Sequence, residues 1–215
     1  MENQFRAIIF DLDGVIVHTD KYHYLAWKSL ADRLGLPFDE TVNNRLRGVS
    51  RLESLNIILE GSDLADLPAD EKATLADEKN EAYKKLLQAM SPADLSGEVR
   101  NTLQTLRERG YRLAIGSSSR NARLILEKIG LDGFFDAISD GNNIVNSKPD
   151  PEVFLKAAEY LAMPPEVCAV VEDADAGVEA ARRAGMKTAA IGDAVRYGHG
   201  DWNLGTFADL IEIFR

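Results

Sequence analysis

The sequence predicts an α/β fold: a doubly wound parallel sheet wrapped by helices, with a helical block inserted after its first strand. Three observations predict it. Short apolar runs recur at 6–10, 111–115, 167–171 and 187–191, as buried parallel strands do. From Ser96 onward these runs alternate with helical stretches, and such alternation calls for a parallel sheet covered on both faces. Between about 18 and 90 the strand signal vanishes and helical periodicity replaces it.

In chain order, Arg6 to Phe10 is an apolar strand that ends in acids. Asp20 can cap a helix that runs to Leu34, stops at Gly35 and is followed by Pro37. Ser50-Arg51-Leu52-Glu53 reads as a capping box opening a second helix, with Leu52, Leu55 and Leu59 on one face. A third helix spans about Asp70 to Met90, before Pro92. Helix 97–109 leads to strand Tyr111–Ile115 and the turn Gly116-Ser117-Ser118-Ser119. Helix 120–129 precedes a short strand near Ala137-Ile138 and a loop containing Lys148-Pro149-Asp150-Pro151. Helix 152–162, strand 167–171, helix 176–184 and strand 187–191 complete the pattern. The reading is a Rossmann-like catalytic core of residues 1–17 and 91–215, with residues 18–90 as a helical cap domain over the strands' C-terminal edge.

Composition narrows the function. The 215 residues carry 35 acidic and 25 basic side chains, a formal net charge of -10, which repels nucleic acid and anionic membrane surfaces. Cys168 is the only cysteine, so there is no disulfide framework and no cysteine-based zinc site. It lies in an apolar run and reads as a core thiol. No signal-peptide layout and no apolar run of spanning length occur, so a cytoplasmic location is expected.

The strand ends hold the chemistry. Asp11 and Asp13 sit two residues apart, so both carboxylates can face one site, and Gly14 lets the chain turn away. Ser117 to Ser119 precede a helix and can cradle phosphate, Lys148 is a cation held before a proline, and Glu172-Asp173 close the fourth strand. Four carboxylates at one edge need a cation between them, and hard oxygen ligands suit Mg²⁺. One aspartate of the first pair can attack phosphorus while Mg²⁺, Lys148 and Ser117 stabilise the oxygen charge, and the other can shuttle a proton.

Asp11-Leu12-Asp13-Gly14-Val15, Ser117, Lys148 and Glu172-Asp173 together resemble the motifs of the haloacid dehalogenase superfamily. The resemblance implies that Asp11 is the nucleophile and Asp13 the general acid/base. It implies one Mg²⁺ held by Asp11, the Asp13 carbonyl and Asp173, with Glu172 direct or through water. The superfamily's ATPases carry threonine where Asp13 stands, which disfavours that activity. The helical block is similar to that of the β-phosphoglucomutase family in Tyr22-His23, Ala26-Trp27-Lys28, Gly48-Val49-Ser50-Arg51 with Ser54, and Lys79-Asn80. Ser117 to Asn121 resembles its second-phosphate loop, through Ser119, Arg120 and Asn121.

That resemblance implies interconversion of β-glucose 1-phosphate and glucose 6-phosphate through an aspartyl-phosphate, primed by β-glucose 1,6-bisphosphate. His23 then assists Asp13, Thr19 is a hinge, and the partner is a small phosphosugar bound by a monomer. A mutase needs a second anion site, for which Arg51 offers a planar fork. Simpler roles exist: His23 and Trp27 lie on a stripe with Leu30 and Leu34 and can pack in the block's core, Lys79 can snorkel, and Asp175 can cap a helix. The alternatives are a capped sugar-phosphate phosphatase of the same superfamily and a catalytically silent phosphosugar-binding protein.

Overall fold

The computed structural model describes residues 4–46 and 49–215. Along the chain run β1 (Ala7–Phe10), α1 (Asp20–Leu34), α2 (Glu40–Asn44), α3 (Arg51–Leu59) and α4 (Ala69–Leu87). There follow α5 (Gly97–Glu108), β2 (Arg112–Gly116), α6 (Ala122–Lys128), β3 (Ala137–Ser139) and α7 (Glu152–Tyr160). The last elements are β4 (Cys168–Glu172), α8 (Asp175–Arg183), β5 (Lys187–Ala190), β6 (Trp202–Asn203) and α9 (Leu210–Ile213). Two compact units result: Met1–His18 with Met90–Arg215, and Thr19–Ala89.

The first unit is one sheet in the order β3-β2-β1-β4-β5-β6, with every pairing parallel. β1 lies between β2 and β4, with Phe10 level with Ile115 on one side and Val171 on the other. The segments that follow these strands therefore leave the same edge, where the strand order reverses and α/β sheets bind ligands. Alternation sorts the β1 side chains between the faces. Ala7 and Ile9 join Phe154, Ala157, Val170 and Ala181 in one core cluster. On the other face Phe10 stacks on Phe207, with ring centroids 5.9 Å apart. Cys168 is fully buried as expected, and burial pushes its thiol up to about 11.

The second unit is helical. Trp27, Leu30 and Ala31 of α1 pack with Phe38, with Leu55, Ile58 and Leu59 of α3, and with Ala76 of α4. Gly35, at φ +71°, ends α1 in the left-handed conformation. Ser50 caps α3 by accepting from the Glu53 N–H at 3.3 Å.

Several local expectations change. Thr19, not Asp20, occupies the N-cap position of α1, and Asp20 is its first residue. Leu52 is exposed, because the buried face of α3 runs through Ser54, Leu55, Ile58 and Leu59. The helix expected from 120 begins at Ala122, leaving the serines in a turn of their own. Asp175 is the first residue of α8 and its side chain meets His199 at 2.8 Å, so it is not the cap. β6 and α2 were not expected; β6 begins at Trp202, the last residue of the Tyr197–Trp202 stretch, which carries no motif in the sequence. No helix among the described residues is long and apolar enough to cross a membrane.

At the end of β2, Gly116 leaves room for the Phe154 ring. A Cβ there would lie 2.7 Å from that ring and 3.0 Å from Ile9. Gly116→Ala is expected to destabilise the protein by about 1–3 kcal/mol through over-packing. At ~2–4 °C per kcal/mol for a chain of this size, the calorimetric midpoint should fall by several degrees. An unchanged midpoint would contradict the packing described.

Candidate active site

The site builds outward from the end of β1. The Asp11 N–H donates to Val171 O at 3.0 Å, which continues the sheet for one more residue and holds the Asp11 backbone in line. Asp11 is buried, at 7% exposure. Lys148 Nζ donates both to Asp11 Oδ1 and to Glu172 Oε1, so one ammonium joins the ends of β1 and β4. The ammonium of that lysine also lies over Phe154, 4.7 Å from the ring centroid. The peptide between Lys148 and Pro149 is cis.

Glu172 is itself fixed. Its Oε2 accepts from the Ala174 N–H at 2.9 Å, and the carboxylate fills the space beside Gly177, where a Cβ would come within 1.8 Å of Oε1. Asp173 is drawn in the same way over Gly14: at φ +95° that residue bends the chain after Asp13, and a Cβ there would lie 2.1 Å from Asp173 Oδ2. The result is a crowd of like charges. Burial raises the Asp11 carboxyl well above its ordinary range, Lys148 works against that, and Glu172, Asp173 and Asp13 reinforce it. For Lys148, burial lowers the ammonium, but Asp11 and Glu172 outweigh it and keep the group protonated.

A hard cation fits this donor set. The acids outnumber the one lysine between them, and Gly14 brings Asp173 against the Asp11–Asp13 turn. Among the described residues no three acidic, histidine or cysteine side chains close into a ligand set of their own. Mg²⁺ does not need one, since it usually keeps waters and takes one or two carboxylates with phosphate. Both Glu172 carboxylate oxygens are already engaged, one by Lys148 and the other by the Ala174 N–H.

The neighbouring strand end supplies the serine turn. Ser117 is buried, its N–H donates to Ser139 O at 3.0 Å, and its Oγ accepts from the Ser119 N–H at 3.1 Å. Ser119 Oγ accepts in turn from the Asn121 N–H at 3.2 Å. Arg120 is exposed and Asn121 is buried. Gly141 passes so close that a Cβ would meet Ser118 O at 2.4 Å, and its N–H donates to Ser119 O.

The helical unit holds a second cluster of candidates. Lys79 is 4% exposed and does not snorkel. Its Nζ lies 2.9 Å from His23 Nδ1, 4.6 Å from the Trp27 ring centroid and 4.8 Å from that of Tyr83. His23 stacks on Tyr83 at 4.1 Å. Desolvation lowers the His23 imidazole well below its ordinary value, and the Lys79 and Arg51 charges lower it further. With Lys79 donating to Nδ1, the neutral ring carries its proton on Nε2. Arg51 donates to Asn80 Oδ1 at 3.0 Å and lies 3.6 Å from Asp77, which offsets the misfit of a cation at a helix start. Trp27 and Ser54 are buried, Val49 is partly buried, and Ser50 Oγ is used in capping. Thr19 is buried just before α1, and Gly48 lies outside the described residues.

Asp11, Lys148 and Glu172 are thus joined by direct contacts, and Asp13 and Asp173 are their electrostatic neighbours. Sequence reasoning passed over Gly177, Gly141 and Glu152. A glycine inside the otherwise helical run 175–183 was the available sign of a close approach at Gly177.

Known proteins resemble this chain in sequence and in fold. The sequence profile of haloacid dehalogenase-like hydrolases matches residues 5–185. The β-phosphoglucomutase of Bacillus subtilis (strain 168) is 41% identical over 207 residues, covering 96% of this chain and 88% of that protein. A phosphorylated carbohydrates phosphatase of Thermotoga maritima is 33% identical, over 84% of this chain and 82% of that protein. The crystal structure of β-phosphoglucomutase from Clostridium difficile superposes with a TM-score of 0.89 at 33% identity, over 98% of this chain and 97% of that one. With most of its length matched by the profile and by relatives of this identity, the chain belongs to the haloacid dehalogenase-like hydrolase family.

Proposed function

We propose that the chain is an enzyme that interconverts β-glucose 1-phosphate and glucose 6-phosphate, with residues 1–17 and 91–215 as catalytic core and 18–90 as cap. The contact of Lys148 with both Asp11 and Glu172 carries the assignment of the core chemistry. It places a fixed cation beside a buried carboxylate at the sheet's ligand-binding edge. The B. subtilis and C. difficile relatives, both named β-phosphoglucomutase, favour the mutase outcome.

In this reading Asp11 starts as the aspartyl-phosphate: Asp13 takes the proton from the free 6-hydroxyl of β-glucose 1-phosphate, which attacks phosphorus, breaks the bond from phosphorus to Asp11 and gives the bisphosphate. In the second half an Asp11 carboxylate oxygen attacks the other phosphate of that bisphosphate, the bond from phosphorus to the C1 oxygen breaks, Asp13 gives that oxygen its proton, and glucose 6-phosphate leaves with Asp11 phosphorylated again. Lys148, the Ser117 hydroxyl and the backbone of the serine turn stabilise equatorial oxygen charge. Asp11, the Asp13 carbonyl and Asp173 would hold Mg²⁺, with Glu172 through water. When bound, that ion neutralises phosphate charge and lets the nucleophile approach.

β-Glucose 1,6-bisphosphate primes the cycle by phosphorylating Asp11. Arg51, Ser119, Arg120 and Asn121 serve the second phosphate. Trp27, Gly48, Val49, Ser50, Ser54 and Lys79 are assigned to binding the sugar, Trp27 by way of the Lys79 ammonium over its ring, His23 assists Asp13, and Thr19 is the hinge. The partner is a phosphosugar, met by a monomer in the cytoplasm.

Phosphorus NMR of β-glucose 1-phosphate with Mg²⁺ and a trace of the bisphosphate tests the proposal. Glucose 6-phosphate should appear with little inorganic phosphate. Stoichiometric inorganic phosphate would instead give the sugar-phosphate phosphatase activity that the 33% identical T. maritima relative's name favours. Asp11→Asn should abolish phosphoryl transfer in either case, and retained turnover would remove Asp11 as nucleophile.

His23 gives a pH dependence. Its folded value lies below the ordinary value of 6.5, so the folded state binds fewer protons than the unfolded state in between. Its stabilisation is full above that value and is lost as pH falls through the folded one. Between pH 7 and 5 the melting temperature of His23→Gln should fall less than that of the unmodified protein. Parallel losses would show that His23 is not held neutral.

A further inference from the structure

The loop that delivers Lys148 leaves β3 at Ser139 and rejoins regular structure at Glu152. Ile144 anchors it to the core, but the next residue, Val145, is 89% exposed. From there on to Lys148 the contacts that hold it are polar. Glu152, in the first turn of α7, accepts on a single oxygen, Oε2, from the N–H groups of Val145 at 3.0 Å and Asn146 at 2.8 Å. Its other oxygen lies 3.3 Å from Lys156, one turn along the same helix, and Lys156 also donates to Asn143 O. Those hydrogen bonds hold the Glu152 carboxyl below its ordinary range, which marks a carboxylate engaged by donors.

Asn143 carries the connection onward. Its amide nitrogen donates to Ser139 Oγ at 3.1 Å, and its amide oxygen accepts from the Asp140 N–H at 2.7 Å. Asn142 donates to Arg120 O at 2.9 Å, so the same network reaches the serine turn. Only Ser147 separates the two clamped amides from Lys148, leaving the loop little freedom before the ammonium that joins Asp11 and Glu172.

We propose that Glu152, by holding the Val145 and Asn146 amides, is a positioning residue that sets where the Lys148 ammonium stands against Asp11 and Glu172. This rests on the reading of Lys148 as the cation that stabilises the transferring phosphoryl group. A merely structural role is available as a rival, because an acid in the first turn of a helix favours the helix dipole. The two differ in what they need: the dipole needs the charge, whereas the clamp needs one acceptor oxygen. Glutamine keeps that oxygen and loses the charge.

The test compares Glu152→Ala, Glu152→Gln and Lys148→Ala in the Mg²⁺-loaded enzyme, with melting temperatures and amide NMR spectra of each. Lys148→Ala should lower kcat by about 10²–10³-fold, the loss expected when one preorganised charge is removed. Glu152→Ala should lower kcat by at least about 10-fold with KM little changed, a smaller share of the same effect. In the Lys148→Ala background it should cost almost nothing further, as for residues acting as a unit. Glu152→Gln should keep kcat within a few-fold of the unmodified enzyme and keep the Val145 and Asn146 amide resonances in place, which Glu152→Ala shifts. If Glu152→Ala does not fold, Val145→Pro removes one of the two donors from the other side at an exposed side chain, and kcat should fall there too. Equal losses in Glu152→Ala and Glu152→Gln, or full additivity with Lys148→Ala, would overturn the proposal. Undiminished turnover in Lys148→Ala would overturn the reading of Lys148 and the proposal together, whereas its loss with Glu152→Ala unaffected would overturn the proposal alone.

Discussion

Carboxylates repel one another, and at the edge of this sheet they are buried side by side. Asp11 and Glu172 end adjacent parallel strands, so the register that pairs Phe10 with Val171 also brings their charges together. A buried charge costs several kcal/mol unless it is paired and hydrogen-bonded. Lys148 meets that demand for two acids at once, and its own burial is tolerated because both sit beside it. Much of the surrounding chain serves this one contact. Gly177 has no side chain where the Glu172 carboxylate lies, Gly14 has none beneath Asp173, and Gly116 admits the Phe154 ring that Lys148 rests against. Asp13 and Asp173 add their charge beside Asp11, and a divalent cation there would offset it.

The helical unit handles a buried cation with other chemistry. Lys79 is enclosed by the faces of Trp27 and Tyr83 and by a ring nitrogen of His23, so aromatic quadrupoles and a lone pair do part of what carboxylates do for Lys148. The arrangement also constrains His23, which cannot take up a proton readily beside an ammonium. The same contact thus bears on both the charge and the tautomer of His23.

The first strand, its two aspartates and the strand–helix alternation were legible because each is a local pattern: a short apolar run, a spacing of two, a stop at Gly35. The joint occurrence of Ser117, Lys148 and Glu172-Asp173 at successive strand ends was legible for the same reason. What could not be read depends on distant chain. Gly177 matters only because Glu172 folds back over it, and Glu152 only because the loop before it returns to its carboxylate. β6 was missed because Trp202 and Asn203 are too few for a periodicity, and pairing to β5 makes them a strand. Leu52 shows the converse error: leucines at nearly helical spacing suggested one face, but the helix turns Leu52 outward and buries Ser54 and Ile58. Trp27 was left between packing and substrate, and the structure places it in the unit's apolar core with Lys79 over its ring.

The register of β1 also orders assembly during synthesis. Ala7 pairs with Arg112 on one side and Cys168 on the other, so this strand is flanked by chain made much later. At ~5–20 residues per second the nascent chain waits seconds for its second neighbour. The helical residues 19–89 form one contiguous stretch and can fold during that wait, since their contacts are comparatively local. Asp11 therefore emerges early but meets Lys148 and Glu172 only when most of the polypeptide is out. The phosphoryl-transfer centre comes together as a late event of translation, and a chain interrupted before β4 carries the aspartate without the residues that make it useful.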